Sequence, residues 1–255
     1  MKFMKRYLKG LYMSFGMFCA IPLPKHVWDD KCMNLILAYF PIIGALIGAL
    51  WWGVAELLVF SGIHIILVSA VLAVLPFFVT GFLHLDGYMD TSDAVLSRRP
   101  LEDKLRILKD PHTGAFAVIM IVVLFILQFA AVYAVIEKGE YLVLLIVISV
   151  ISRCGSAMSI LCLKTMTQSG YANMFRQDTG ISHKIFLIII AVLAIALSFI
   201  LSGIYGLIVA AAVILGFIGA MAYAYKEFKG VSGDLAGYAL VISELCGLIA
   251  MGVII

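Results

Sequence analysis

The sequence has few charged residues. They make up 13% of its 255 residues, against about a quarter in an average soluble domain, while hydrophobic residues make up 64%. No polar stretch is long enough to enclose a second, water-soluble core, so we expect residues 1–255 to form one membrane domain. No basic patch interleaved with aromatic residues occurs, which argues against nucleic acid as a partner.

The cysteines lack the spacing of a metal site. All five are scattered along the chain, and no C-x-x-C pair occurs. This pattern argues against a zinc site and against a disulfide framework. We therefore expect reduced thiols that pack in apolar surroundings.

Long apolar runs dominate the chain and predict an all-α, polytopic integral membrane protein with about seven transmembrane helices. Windows of about 20 apolar residues place the spans near 36–60, 65–83, 114–136, 141–163, 185–202, 205–225 and 236–255. Residues 1–24 differ, because four basic residues precede a short apolar run that ends at two prolines. We interpret this segment as an amphipathic helix in the membrane interface rather than a signal peptide, since no convincing cleavage site follows.

Basic residues predict the orientation of these spans in the membrane. With the basic N-terminus inside, the connections 84–113, 164–184 and 226–235 also face the cytoplasm. They carry Arg98, Arg99, Lys104, Arg106, Lys109, Lys164, Arg176, Lys184, Lys226 and Lys229. The opposite connections carry Lys138 alone. We therefore expect a multi-pass protein of the plasma (inner) membrane, with the lipid bilayer as a partner and its polar loops on the cytoplasmic face.

Acidic residues concentrate in the first of these connections. Asp86, Asp90 and Asp93 stand at i, i+4 and i+7, which places three carboxylates on one face of a helix. Like charges on one face repel, and acids next to an apolar run are costly. Oxygen ligands suit Mg²⁺, which proteins usually share with a substrate phosphate. The pattern predicts a magnesium site at these residues, whereas Glu102 and Asp103 suit the first turn of a later helix.

Residues near these acids extend the predicted site. Asp110 ends a short predicted helix, where the helix dipole disfavours an acid unless a cation offsets it. Lys109 beside it is suited to neutralising a phosphate. Gly87 permits close approach of another backbone or of a substrate. His84 is compatible with two roles, a general base or a structural histidine.

Two charged residues lie inside predicted spans. Arg153 stands about twelve residues into the fourth span and Glu244 about nine into the last. Each is costly alone in a membrane, so they either pair with each other or face a polar cavity. The G-V-S-G-D run at 230–234 leads into the last span, and its Gly233 and Asp234 suit a turn that approaches a phosphate or a metal.

These motifs together resemble one family. F-L-H-L-D-G-Y-M-D-T-S-D, followed by L-K-D-P-H-T-G-A-F, is similar to the signature of the cobalamin synthases, the adenosylcobinamide-GDP ribazoletransferases. Five further segments fit in order: I-P-L-P at 21–24, Y-F-P-I-I-G-A-L-I-G at 39–48, S-R at 152–153, G-Y-A-N-M-F at 170–175, and G-V-S-G-D-L-A-G at 230–237 with Glu244 after it. The chain departs from the family at Ala20, which is not the usual arginine, and at Ala94, Arg106 and Val241.

The resemblance implies a Mg²⁺-dependent transferase of late coenzyme B12 biosynthesis. A ribose hydroxyl of α-ribazole, or of its 5′-phosphate, attacks the cobinamide-linked phosphate of adenosylcobinamide-GDP, and GMP leaves. The residues predicted to act in catalysis are Asp93, Asp110, Lys109 and His84; those predicted to contact substrate are Gly87, Arg153, Gly233, Asp234 and Glu244; those predicted to hold Mg²⁺ are Asp86, Asp90 and Asp93. Other late B12-assembly enzymes and a second copy of the chain stay open as partners.

Two other functions also stay open from the sequence. A CDP-alcohol phosphatidyltransferase uses membrane-face aspartates too, but its D-G-x-x-A-R pattern is not completed after Asp86-Gly87. A divalent-cation transporter, with Asp86, Arg153 and Glu244 along a pathway, belongs to a different class. Such a transporter is expected to bury its acids at mid-membrane in broken helices or repeats, whereas most unusual acids here gather at one face.

Overall fold

The computed structural model describes residues 2–25, 27–166, 170–177 and 179–254, and this part of the chain is almost entirely helical. Its α-helices are, in order, α1 (Lys2–Phe18), α2 (Met33–Phe60), α3 (Ile65–Val79), α4 (Leu83–Leu96), α5 (Leu101–Ile107), α6 (Ala115–Lys138), α7 (Leu144–Cys162), α8 (Gly170–Arg176), α9 (Ile181–Ser202), α10 (Ile204–Phe228) and α11 (Gly233–Ile254). A 3₁₀ turn at Asp30–Cys32 precedes α2. All five cysteines are free; Cys19, Cys32 and Cys154 are buried, as expected for packed thiols, whereas Cys162 is exposed.

Most of the helices are long and apolar enough to cross a membrane. In the described part of the chain these are α2, α6, α7, α9, α10 and α11, while α3 and α4 pass the same test only as a pair that is bent by 93°. The prediction of an all-α, polytopic membrane protein with about seven spans is confirmed.

The second predicted span, 65–83, is shorter than expected. Its helix ends at Val79, and Gly81 and Phe82 then adopt left-handed backbone conformations with φ of 61° and 62°. Such a conformation is uncommon for a residue other than glycine, and here the ring of Phe82 packs edge-on against Phe78. These two residues turn the chain into α4, whereas the apolar run in the sequence continues through the turn.

Side chains from α2 and α6 hydrogen-bond to α3 where a proline disturbs its backbone. Pro76 has no N–H to donate to the carbonyl of Leu72, four residues earlier. The indole of Trp51 donates to that carbonyl at 2.9 Å, and the amide of Gln128 donates to the carbonyl of Ala73 at 2.9 Å. In a membrane, where water is scarce, the bond from Trp51 satisfies a carbonyl that would otherwise be unpaired, and the bond from Gln128 adds a contact between α6 and α3.

Helix α1 packs alongside α2. Its buried stripe is formed by Gly10, Ser14 and Phe18, which are spaced four residues apart. A Cβ atom at Gly10 would lie 2.6 Å from the side chain of Leu35, and the hydroxyl of Ser14 donates to the carbonyl of Ile36 at 3.0 Å. The predicted N-terminal helix is therefore present and anchored to the bundle, while its position in the membrane interface stays a prediction.

The connections predicted to be cytoplasmic meet at one end of the bundle. Thr165, after α7, forms a β-bridge with Val231, before α11. Lys104 of α5 pairs with Glu227 near the end of α10. The long connection 84–113 is not a loop, because α4 and α5 occupy most of it. The membrane side that this end faces stays a prediction.

Candidate functional site

Helix α4 lies directly against the start of α11. A Cβ atom at Gly87 would be 2.8 Å from the carbonyl oxygen and 2.9 Å from the Cα atom of Asp234, which is closer than real Cβ atoms come. The ring of Tyr88, next to Gly87 on α4, stacks on the ring of Tyr238, one turn after Asp234 on α11, at 5.7 Å between centroids. The absence of a side chain at Gly87 thus allows the backbone contact that places Asp234 beside α4.

Four carboxylates gather at this contact, and we call them the acidic cluster: Asp86, Asp90, Asp93 and Asp234. Asp86 is exposed and the others are partly buried. Asp90 is close enough to interact electrostatically with the other three, and Asp234 with Asp86. Among the described residues, no lysine, arginine or histidine forms an ion pair with any member. The cluster therefore concentrates negative charge that no cation in the described part of the chain neutralises by direct contact.

Asp93 also supports the beginning of α6. Its Oδ1 atom accepts a hydrogen bond from the backbone N–H of Ala117 at 3.4 Å. Gly114, which precedes α6, has no side chain to cap the helix, and a Cβ atom there would overlap the Asp93 carboxylate. The negative charge of Asp93 thus lies at the positive end of the helix dipole. Its predicted roles in metal binding and catalysis stay predictions.

The turn before α11 adds Ser232, which the sequence analysis did not single out. Its hydroxyl donates to Oδ2 of Asp234 at 3.3 Å and accepts from the backbone N–H of Leu235 at 3.3 Å. Serine near a helix start is a common capping residue, so this signal was present in the sequence. Gly233 is exposed, and a Cβ atom there would meet nothing within 4 Å. Open space next to Asp234 is compatible with a bound substrate.

Asp110 lies apart from these contacts, at the exposed end of α5. Its Oδ1 atom accepts the backbone N–H of His112 at 3.0 Å and lies 2.7 Å from Nδ1 of the same histidine. The hydrogen bond from the backbone N–H of His112 contributes most to lowering the pKa of Asp110 below its usual value, and the side-chain contact with His112 lowers it further. Lys109 and Asp110 border an open hollow of about 500 Å³ on α5. No contact described here joins this hollow to the acidic cluster.

Other charges on α5 have structural roles. Glu102 and Asp103 lie in its first turn, as predicted, and Asp103 pairs with Arg106. Lys104 is buried, and its ammonium group pairs with Glu227 of α10. The pair between Lys104 and Glu227 holds α5 against α10, whereas the pair between Asp103 and Arg106 lies within α5.

His84 lies in an aromatic pocket in the interior. Its ring is 6.1 Å from that of Phe18 and 5.5 Å from that of Phe40, and the residue is 7% exposed. Nε2 has no hydrogen-bond partner in the described part of the protein. On α4, residues 84 and 86 are about 200° apart, so His84 and Asp86 occupy opposite faces. This geometry favours a packing role, and the predicted role as a base stays untested.

Arg153 and Glu244 form an ion pair inside the bundle. Nη1 of Arg153 lies 2.5 Å from Oε1 of Glu244 and donates to the carbonyl of Ser149 at 2.9 Å. The hydroxyl of Ser152 donates to the same Glu244 oxygen, and the guanidinium lies 5.8 Å from the centroid of the Phe40 ring. Arg153 is only 1% exposed. The pairing considered from the sequence is present, while the predicted contacts with substrate stay predictions.

The chemistry of the acidic cluster fits a magnesium ion that is shared with a substrate. In the part of the chain described, no three His, Cys, Asp or Glu side chains are arranged to hold one metal ion as they stand. Proteins usually bind Mg²⁺ through one or two carboxylates, with waters and substrate phosphates completing the octahedron. The cluster offers carboxylate oxygens without nitrogen, sulfur or a paired cation, which suits that kind of site.

Comparison with known proteins assigns the chain to a family. The model of the cobalamin-5-phosphate synthase family matches residues 10–252. The chain belongs to this family. The match includes every member of the acidic cluster, Lys109 and Asp110, and the ion pair between Arg153 and Glu244. The prediction of an enzyme of this family, made from the motifs, is confirmed.

Named relatives cover nearly the whole chain. An adenosylcobinamide-GDP ribazoletransferase of Clostridium perfringens is 41% identical over 252 residues, which is 98% of this chain and 100% of the relative. Relatives of the same name from Clostridium botulinum and Lachnoclostridium phytofermentans are 39% and 35% identical, over 96% and 98% of this chain and 97% of each relative. No solved structure matches the chain.

Proposed function

We propose that this protein is a Mg²⁺-dependent adenosylcobinamide-GDP ribazoletransferase. It joins adenosylcobinamide-GDP to α-ribazole, or to α-ribazole 5′-phosphate, and releases GMP. The observation that carries this proposal is the family match over residues 10–252, which contains the entire acidic cluster. The relatives that support it are named for the same transfer and align along almost their full length.

Asp86 and Asp90 hold Mg²⁺ in this proposal, with Asp234 beside them. Three features support the assignment: the carboxylates are grouped, no described lysine, arginine or histidine pairs with them, and Gly87 lets α11 approach them. When bound, the ion polarises the diphosphate and offsets the charge that develops on the leaving GMP. Ser232 orients the Asp234 carboxylate through its hydroxyl.

Asp93 accepts the proton of the attacking ribose hydroxyl. Its Oδ1 atom is occupied by the N–H of Ala117, and Oδ2 has no hydrogen bond among the described residues. As the new oxygen–phosphorus bond forms, the bond between that phosphorus and the bridging oxygen of GMP breaks. Asp110 is the less suitable acceptor, because it lies at the exposed end of α5, where its carboxylate contacts His112 and not the acidic cluster. Lys109 is exposed at the neighbouring hollow and neutralises phosphate charge.

We place the acidic cluster at the cytoplasmic face of the cell membrane. The support is the strong excess of basic residues in the connections that meet at this end, compared with Lys138 alone in the opposite ones. This side of the membrane also gives direct access to a nucleotide-linked substrate.

The proposal is tested with purified protein in nanodiscs, supplied with adenosylcobinamide-GDP, α-ribazole and Mg²⁺. We expect GMP release that requires both substrates and stops when EDTA removes the metal. Parallel reactions with α-ribazole 5′-phosphate show which acceptor is preferred. Absence of corrinoid-dependent GMP would refute the reaction, and Mg²⁺ flux into proteoliposomes without any transfer would favour the transporter considered from the sequence.

A further inference from the structure

An apolar cleft opens between α7, α9 and α10, separate from the acidic cluster. Its volume is about 630 Å³, within the range of about 300–1,000 Å³ that is typical of small-molecule sites. Aliphatic, aromatic and sulfur-containing side chains line it, among them Met158, Leu187, Ala191, Phe217 and Ala222. The hydroxyl of Ser159, which also borders the cleft, is already bonded to the carbonyl of Ser156. The cleft therefore offers a bound molecule almost no polar partner.

Lysines stand at one end of this cleft. Lys184 precedes the lining residues Leu187 and Ala191 by three and seven positions, so it lies on the same face of α9. Lys226 stands four residues after the lining residue Ala222, so it lies on the same face of α10. Both belong to the end of the bundle that also carries the acidic cluster.

These lysines are not neutralised by neighbouring acids. Lys226 is exposed and Lys184 is half-buried, and so is accessible in part. Lys164, which directly follows the lining residue Leu163, is exposed as well. Within the described ranges, none of the three forms an ion pair. An anion at this end would thus meet several ammonium groups that no described acid neutralises.

We propose that the cleft binds an anionic phospholipid of the bilayer. Its acyl chains fill the apolar space between α7, α9 and α10, and its phosphate contacts Lys184 and Lys226, with Lys164 nearby. An apolar cleft with lysines at one end favours a molecule that is both apolar and anionic. An uncharged apolar molecule would make no ionic contact with the lysines, and a soluble anion would not fill the cleft. Basic pockets between transmembrane helices are known to hold anionic head groups.

Native mass spectrometry tests this site on the full-length protein. The protein is reconstituted with equal amounts of phosphatidylcholine and phosphatidylglycerol, extracted in a mild detergent, and weighed with the lipid that it retains. We expect phosphatidylglycerol in clear excess over its share. In Lys184→Gln/Lys226→Gln, two lost contacts worth about fivefold each predict about 25-fold weaker retention. Lys184→Arg/Lys226→Arg keeps the charges and should keep the lipid.

Matched controls separate the site from general effects. Lys138→Gln removes one positive charge at the opposite end and should not change retention. Ala222→Phe fills the cleft and should lower retention with both lysines in place, whereas Ala70→Phe, on the exposed face of α3, should not. Every variant is first checked for an unchanged elution volume and unfolding temperature.

Three results would overturn the proposal. The first is retention of both lipids in proportion to their supply by the unmodified protein. The second is unchanged retention in the double glutamine variant or in Ala222→Phe. The third is efficient disulfide cross-linking of two chains through Cys162, which borders the cleft and is exposed, since a second copy would then be the occupant.

Discussion

Acidic residues occur in two very different settings in this protein. Glu244 lies in the interior, where its carboxylate pairs with Arg153 and accepts a hydrogen bond from the hydroxyl of Ser152. Asp90 lies at the end of the bundle among three other carboxylates and has no basic partner in direct contact in the described structure. A paired buried charge ties helices together, whereas grouped unpaired charges need a cation from outside the chain.

This difference separates structural acids from those proposed to act in the reaction. Glu244 links α11 to α7, and its removal would leave the guanidinium of Arg153 unpaired in a membrane. Removal of Asp90 would instead relieve repulsion within the acidic cluster. Substitutions in the two regions should therefore affect different quantities, unfolding in one and turnover in the other.

The largest effect is expected from breaking the interior pair. Glu244→Gln should lower the free energy of unfolding by about 3–5 kcal/mol, because it leaves a buried positive charge without its partner. Arg153→Met/Glu244→Met removes both charges and should recover much of that loss. Thermal unfolding in nanodiscs measures both variants. A stability of Glu244→Gln equal to that of the unmodified protein would show that the pair contributes little.

Asp90→Asn should lower turnover and leave stability intact, the opposite of Glu244→Gln. We expect turnover to fall by at least about 100-fold, since a ligand of the proposed ion is lost, while the unfolding temperature stays the same or rises. GMP release at saturating Mg²⁺ gives the turnover. Glu137→Gln is the matched control, because it removes one exposed acid at the far end of α6, away from the acidic cluster and from the hollow beside Lys109. If Asp90→Asn retained near-normal turnover, Asp90 would not hold the metal.

Gly87→Ala tests whether the close contact between α4 and α11 creates the acidic cluster. A Cβ atom there would meet the backbone of Asp234, so the helices must separate and turnover should fall by about tenfold. Gly53→Ala on α2 is the control, since a Cβ atom there has nothing within 4 Å. It should leave turnover unchanged and favour the helix slightly. Equal effects of the two substitutions would contradict the role of the contact.

His84→Gln should reduce turnover less than tenfold and leave the pH profile unchanged. The imidazole packs against the paired rings of Phe18 and Phe40, and the described structure gives its Nε2 atom no hydrogen-bond partner. If His84 were the catalytic base, its substitution would remove one ionisation from the pH profile of turnover. Turnover measured from pH 5.5 to 8.5, about one unit or more on either side of an ordinary histidine pKa, distinguishes the two roles.

The smallest effect is expected on stability, in the substitution Asp110→Asn. The N–H of His112 lowers the pKa of this carboxylate below its ordinary value of 3.8. A carboxylate with a lowered folded pKa stabilises the protein above the ordinary pKa, and this contribution disappears as the pH falls through the folded value. The small stability difference between the unmodified protein and Asp110→Asn should thus be constant above about pH 5 and vanish at the acid end. A difference that grew between pH 6 and 8 would contradict this origin.

Much of the fold follows from the sequence alone. Six of the predicted spans agree with long helices, because each apolar run ends where polar or glycine residues begin. The bend at Gly81 and Phe82 was missed, since the apolar run continues through it without a proline. The left-handed conformation of Phe82 depends on packing against Phe78, which hydropathy does not describe.

The candidate site was only partly predictable. Helical spacing correctly grouped Asp86, Asp90 and Asp93 on one helix. The proximity of Asp234, about 140 residues away in the sequence, depends on how α11 packs against Gly87. The contact of Asp93 with α6 likewise needs tertiary structure, because no local pattern connects the two helices.

The most direct test of the central claim is metal binding by the acidic cluster. Mn²⁺, which also prefers oxygen ligands, can replace Mg²⁺ and be followed by electron paramagnetic resonance in the purified protein with adenosylcobinamide-GDP present. We predict that Mn²⁺ binds the unmodified protein and Glu137→Gln alike, and that Asp86→Asn and Asp90→Asn each weaken binding at least about tenfold. Equal Mn²⁺ affinity in all four proteins would contradict the assignment of the metal to Asp86 and Asp90.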